Sequence, residues 1–199
     1  MPRVPVHTVD DAPEESRETL GELEQRFGKV INIFGEMAHA PAVLETYAAM
    51  ERTLKETSSL GERVRQAIHL TVANVNACDY CQAAYTGAAK ATGFSDDETV
   101  AIRRGELPGD DELTALLQVS REIAANKGHV EDGTWKTALE AGWSEKEVLE
   151  AYADVVRTIL TNYFNHLVGT EVDLPAPPAM DRVAEGDDGG DEERRKATT

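Results

Sequence analysis

Apolar residues recur at helical rather than alternating spacing along most of the chain. Between Val64 and Val75 they fall at Val64, Ala67, Ile68, Val72 and Val75, with Thr71 on the same face, and that period describes a helix with one apolar side. The same reading predicts helices over residues 14–27, 41–57, 61–76, 77–92, 112–126 and 132–141. Their ends carry chemical marks. Gly28, Gly93, Gly128 and Gly142 follow the periodic stretches, and Pro41 stands at a first turn, where its missing N–H costs nothing. Ser95-Asp96-Asp97-Glu98 and Ser144-Glu145-Lys146-Glu147 read as capping boxes, which start helices running to about 104 and 168. No segment has convincing strand periodicity, so the expected fold is all-α, a compact multi-helix domain.

That domain is expected to span residues 13–175. A polar arm (1–12) precedes it, and a tail (176–199) follows that is first Pro-rich and then acidic. Residues 181–199 have almost nothing to bury and are expected to be disordered. Gly93-Phe94-Ser95-Asp96-Asp97-Glu98 resembles Gly142-Trp143-Ser144-Glu145-Lys146-Glu147 at an offset of 49 residues. Two helix–turn–helix pseudo-repeats would explain this. At that offset Cys78 and Cys81 fall on Lys127 and Val130, so only the first copy would carry thiols.

Composition narrows the function. A chain of 199 residues suits one domain or two small fused units with a substantial core. A formal net charge of −17 argues against nucleic-acid or anionic-membrane partners. There is no apolar run of membrane-spanning length and no signal-like hydrophobic stretch. The expected location is therefore cytoplasmic, where a permanent structural disulfide is unusual.

The chemistry lies in the two cysteines, Cys78 and Cys81, which stand three apart in Asn76-Ala77-Cys78-Asp79-Tyr80-Cys81-Gln82. On a helix that spacing puts both on one face, in reach of a disulfide. Gln82 stands where a c-type haem site needs His. No further cysteines supply a zinc knuckle, and the helical pattern upstream is not the strand of a thioredoxin site. Inert packing of two small hydrophobes is the plain alternative. Asn76 reads as an N-cap, which would place both thiols in the first turns of a helix, where the helix dipole favours thiolate.

The stretch Gln66-Ala67-Ile68-His69-Leu70-Thr71-Val72-Ala73-Asn74-Val75-Asn76-Ala77-Cys78-Asp79-Tyr80-Cys81-Gln82-Ala83-Ala84-Tyr85 resembles the signature of the alkylhydroperoxidase D-like proteins of the carboxymuconolactone decarboxylase superfamily. Gly93-Phe94-Ser95-Asp96-Asp97-Glu98, Val30-Ile31-Asn32-Ile33-Phe34 and Thr161-Asn162-Tyr163-Phe164-Asn165-His166 resemble flanking segments. The resemblance implies an all-helical fold that assembles into homo-oligomers, trimers or hexamers. It also implies an antioxidant peroxidase that reduces (alkyl)hydroperoxides. Cys81 matches the cysteine that attacks the peroxide. Cys78 matches the partner that donates a proton and closes the disulfide, which a thiol or lipoyl-type reductant then reopens. No cofactor, metal or haem is implied.

Two positions depart from the family pattern. The proton relay has Glu and His where this chain has Gln66 and Tyr85, and neither replacement is a general base at neutral pH. His69, on the same helical face as Gln66, is the nearest candidate auxiliary base. Tyr80, between the thiols, is a candidate for shaping the pocket. Glu62 and His166 are weaker candidates, and Trp135 and Trp143 read as core or interface residues. Three readings follow: a thiol peroxidase slowed by its altered relay, a non-catalytic redox-sensing or interaction module, and a scaffold without chemistry.

Overall fold

A computed structural model of the protein describes residues 2–180. The expected disorder of residues 181–199 lies outside the described residues. Within them the chain folds into nine helices and no strand: α1 (Glu14–Phe27), α2 (Asn32–Met37), α3 (Pro41–Thr57), α4 (Glu62–Val75), α5 (Asp79–Ala91), α6 (Asp96–Arg104), α7 (Asp111–Ala125), α8 (Asp132–Glu140) and α9 (Glu145–Val168).

Helix α4 is the axis of the fold and packs against α5, α6, α7 and α9. Ala67, Ile68, Leu70, Val72 and Ala73 are all fully buried, so this helix is covered on every side, as a central helix must be. Helix α3 packs on α9 and on the α1–α2 corner, which closes the side of the core away from α6 and α7. The expected helix ends hold to within two residues. Both capping boxes form, with Ser95 accepting from the Glu98 amide and Ser144 from the Glu147 amide. Helix α2 has no counterpart among the sequence expectations. Six residues are too few to show a 3.6-residue period, and its cap residue Ile31 makes no side-chain cap bond.

The internal repeat recurs in the backbone. Ala77 (φ 50°) and Lys127 (φ 56°) are the two non-glycine residues with positive φ among the described residues. Each follows the asparagine that ends α4 or α7. Past those turns the amides of Cys78 and Gly128 bond back to the carbonyls of Ala73 (3.0 Å) and Ile123 (2.8 Å). The register at this turn is thus 50 residues, so Cys78 corresponds to Gly128 rather than Lys127. At Gly93 (φ 99°) and Gly142 (φ 120°) the spacing is 49.

The N-terminal segment lies against the domain. Arg3 N donates to Val168 O (2.8 Å) and His7 N to Gly35 O (3.1 Å). A Cβ at Gly35 would come 2.7 Å from the His7 carbonyl oxygen, so only glycine allows this approach. After α9 the chain returns across α2. Lys29 pairs with Asp173 (2.9 Å) and Asn32 Nδ2 donates to Glu171 O (2.9 Å), while the Arg103 guanidinium holds the Pro178 carbonyl.

Candidate functional site

The turn that ends α4 sets the position of the thiols. Ala77 in the left-handed region reverses the chain, so α5 begins two residues later than expected. Cys78, not Asn76, is its N-cap. The Cys81 amide, at the third helical position, donates to Cys78 Sγ at 3.3 Å. Asn76 instead ends α4 and donates from Nδ2 to Asn162 Oδ1 at 2.8 Å. A sulfur thus takes the capping role usually given to an oxygen, at the positive end of the helix dipole.

Helix α9 supplies the opposite wall. Asn165 Nδ2 lies 3.1 Å from Cys81 Sγ and 3.6 Å from Cys78 Sγ, so one amide reaches both sulfurs. Thr161 Oγ1 lies 4.0 Å from Cys81 Sγ. Both cysteines are free and buried. A hydrogen bond from the Cys81 thiol lowers the Cys78 pKa; burial opposes this, and the Cys81 and Asn165 amides add to the lowering. Burial, together with the neighbouring Cys78 sulfur, pushes the Cys81 thiol well up. The two shifts run in opposite directions, so this environment favours negative charge on Cys78 over Cys81.

Access runs the other way. A cavity of about 100 Å³ is lined by Cys81 and not by Cys78. Phe34, Tyr47, Tyr80 and Tyr85 form its aromatic walls, and it leads outward past Arg26 and Phe27, both almost half exposed. Of the two cysteines, the one that borders this cavity is thus Cys81.

Tyr85 joins the site through Thr161: the two hydroxyls are 3.2 Å apart, and Thr161 spends its proton on the Thr158 carbonyl (2.8 Å). Arg157 Nη1 donates to Tyr85 Oη at 2.6 Å, which leaves the phenol proton to point at Thr161. Burial raises the Tyr85 pKa against the pull of Arg157, so the residue is a neutral donor and not a base. Arg157 Nη2 also donates to Tyr47 Oη (3.0 Å) and pairs with Glu51 (2.7 Å). Gln66 lines the cavity but directs Nε2 to Glu62 Oε1 at 2.6 Å.

His69 is fully buried and bonds through Nε2 to Asp154 Oδ1 at 2.8 Å. Its ring centroid is 5.1 Å from that of Tyr85, and its bonds go to Asp154 and not to a sulfur. Burial and the Arg157 charge hold its pKa down against Asp154. Asp154 is clamped by Arg65, whose Nε and Nη2 lie 3.0–3.1 Å from its oxygens. Burial would raise the Asp154 carboxyl, but His69 and Arg65 outweigh it. Tyr80 Oη donates to Asp173 Oδ1 (2.9 Å) and accepts from Ile33 N (3.4 Å), which ties the cavity wall to the returning chain.

The residues that sequence reasoning missed lie on α9 and α3: Asn165, Thr161, Arg157, Asp154, Glu51 and Tyr47. A signal was present. Asp154, Arg157, Thr158, Thr161, Asn162 and Asn165 recur at helical spacing on the face that α9 buries, where an ordinary helix would be apolar. Among the described residues no group of three or more His, Cys, Asp or Glu side chains is arranged to hold a metal ion. No helix there is long and apolar enough to cross a membrane.

Residues 41–122 match the sequence model of the carboxymuconolactone decarboxylase family. Among curated proteins none matches the chain by sequence. Among solved structures, a peroxidase-related protein of Ralstonia eutropha with an alkylhydroperoxidase AhpD core superposes with a TM-score of 0.77 at 18% identity, over 86% of this chain and 92% of that one. A peroxidase-related protein of Silicibacter sp. TM1040 gives 0.73 at 17% identity, over 85% and 89%. The debrominase Bmp8, as a cysteine-to-alanine variant in complex with 2,3,4-tribromopyrrole, gives 0.73 at 14% identity, over 85% and 90%. The chain thus shares the fold of these alkylhydroperoxidase AhpD-like and debrominase structures, and its segment 41–122 is similar to the carboxymuconolactone decarboxylase family.

Proposed function

We propose that the protein is a dithiol enzyme that reduces a hydroperoxide at Cys81 and closes a Cys78–Cys81 disulfide. The observation that carries this reading is the division of labour between the sulfurs. Cys81 lines the cavity, while Cys78, which accepts from the Cys81 and Asn165 amides, is the neighbouring sulfur on which charge is favoured. Cys78 takes the Cys81 proton, and the Cys81 thiolate attacks the terminal peroxide oxygen. The O–O bond breaks, leaving a Cys81 sulfenic acid and an alkoxide, and Cys78 returns the proton to the alkoxide. The Cys78 thiolate then attacks Cys81 sulfur and expels hydroxide, forming the disulfide. A thiol or lipoyl-type reductant restores both thiols. Tyr85, Thr161 and Arg157 hold the site's shape and charge without acting as bases.

Mass spectrometry after one equivalent of tert-butyl hydroperoxide tests this reading. The expected product has lost two hydrogens and carries a Cys78–Cys81 crosslink. Cys78→Ser, which lacks both the proton acceptor and the resolving thiol, should form no crosslink and oxidise only slowly, to a sulfenic acid on Cys81, and Cys81→Ser should not react. A crosslink without turnover in the presence of dithiothreitol would make the protein a redox sensor instead. The aromatic walls favour one further reading: the same two electrons can reduce a carbon–bromine bond, and a debrominase is among the proteins that share this fold. Bromide release from a tribromopyrrole, with the same crosslink formed, would mark that chemistry.

A further inference from the structure

Two polar atoms around the cavity have no partner in the protein. Arg157 Nε and Gln66 Oε1 are both buried without a hydrogen bond, on side chains that line the cavity alongside Cys81 and are 5% and 8% exposed. Buried polar atoms are nearly always satisfied, so orphans of this kind point to a missing partner. Their chemistry is complementary: Nε–H only donates, and the amide oxygen only accepts. The remaining groups of both side chains are anchored. Arg157 spends Nη1 on Tyr85 and Nη2 on Tyr47 and Glu51, and Gln66 spends Nε2 on Glu62. Each orphan is thus on a side chain already fixed by its own neighbours, and none of those neighbours takes it up.

We propose that Gln66 and Arg157 form the hydroperoxide subsite of this cavity, with Gln66 Oε1 accepting from the terminal O–H and Arg157 Nε–H donating to the oxygen bonded to carbon. A hydroperoxide is a fitting ligand because it presents a donor and an acceptor on adjacent atoms. This rests on the peroxidase reading and adds to it. When Cys81 attacks the terminal oxygen and the O–O bond breaks, the oxygen bonded to carbon becomes the alkoxide. It does so beside a fixed positive charge, where developing anions are stabilised. Gln66, which cannot titrate, then serves the reaction as a substrate acceptor and not as a base. The cavity carries Arg26 and Arg157 against Glu51 alone, so it is one charge positive inside a strongly acidic chain.

Binding without chemistry tests the subsite. The Cys78→Ser/Cys81→Ser protein cannot consume peroxide, and its affinity for two ligands is read by NMR titration. One is tert-butyl hydroperoxide. The other is tert-butyl methyl ether, which keeps an acceptor oxygen and lacks the O–H. Adding Gln66→Met should weaken hydroperoxide binding about five-fold, the effect of one hydrogen bond, and leave the ether unchanged. Adding Arg157→Lys should weaken both. In the protein with both thiols, Gln66→Met should raise the KM for hydroperoxide and leave the rate of Cys81 alkylation by iodoacetamide unaltered. A purely structural role would change both readouts. Equal hydroperoxide affinity with and without Gln66→Met overturns the subsite, as does an absence of hydroperoxide binding. Should Arg157→Lys fail to fold, the Gln66→Met result decides alone. Failure of the crosslink to form in the thiol protein would remove the peroxidase reading but leave this binding result standing.

Discussion

Asn165 touches both thiols at once, its amide reaching the two sulfurs at 3.1 and 3.6 Å. Hydrogen bonds to a charged group contribute about 1.5–3 kcal/mol, and one pKa unit is about 1.4 kcal/mol. Asn165→Leu should therefore raise the apparent pKa of the first thiol by about one to two units, read from the pH dependence of thiolate absorbance or alkylation. An unchanged titration would return the stabilisation to the Cys81 thiol and amide. His69 gives a second residue-level expectation. Its folded pKa lies below the ordinary value, so below about pH 6.5 the unfolded chain gains a proton that the native protein declines. The stability this residue contributes is then lost as pH falls from 7.5 towards 5.5. Urea unfolding at those two pH values should show a smaller loss for His69→Gln, whose amide can still donate to Asp154. The buried carboxylates Asp154 and Glu51 are shifted downward, so their contribution is lost only at lower pH, and the difference between the two proteins isolates His69.

At the scale of elements, α9 holds its buried polar stripe in place by pairing it. Arg65 and Asp154 are both buried and doubly bonded. Removing one partner of such a pair leaves an uncompensated charge, at a cost of about 3–5 kcal/mol. Asp154→Ala should therefore destabilise the protein by about that amount in denaturant titration, and a loss below 1 kcal/mol would mean that Arg65 finds another acceptor. The capping boxes of α6 and α9 are a smaller matter. Ser95→Ala and Ser144→Ala should cost about 1 kcal/mol each and add when combined. Elements also show where sequence reading succeeds. The long helices were legible because fourteen or more residues display their period. Helix α2 was not, and the start of α5 was misplaced because a single residue, Ala77, takes a left-handed conformation that side-chain pattern does not encode.

For the molecule as a whole, the outer face of α9 carries Leu149, Tyr152, Tyr163 and Leu167, each between 49% and 64% exposed. Together they form a stripe along a helix of 24 residues, about 36 Å long. We propose that a second copy of the chain covers it, in keeping with the homo-oligomer that the family resemblance implies. Tyr163→Glu with Leu167→Glu should shift sedimentation to the monomer while leaving helix content unaltered, and unchanged sedimentation would place the contact elsewhere. The all-helical class, most element boundaries and the dithiol could be derived from the chain alone, because local periodicity, caps and the Cys-x-x-Cys spacing are short-range properties. The tertiary structure decided which sulfur faces the cavity and on which of the two its surroundings favour charge. It also decided that His69 serves Asp154 instead of a thiol, and that Arg157 and Gln66 are left with unpaired atoms. Those outcomes depend on how α9 and α3 pack across α4 and α5, where residues more than seventy positions apart come within hydrogen-bond distance.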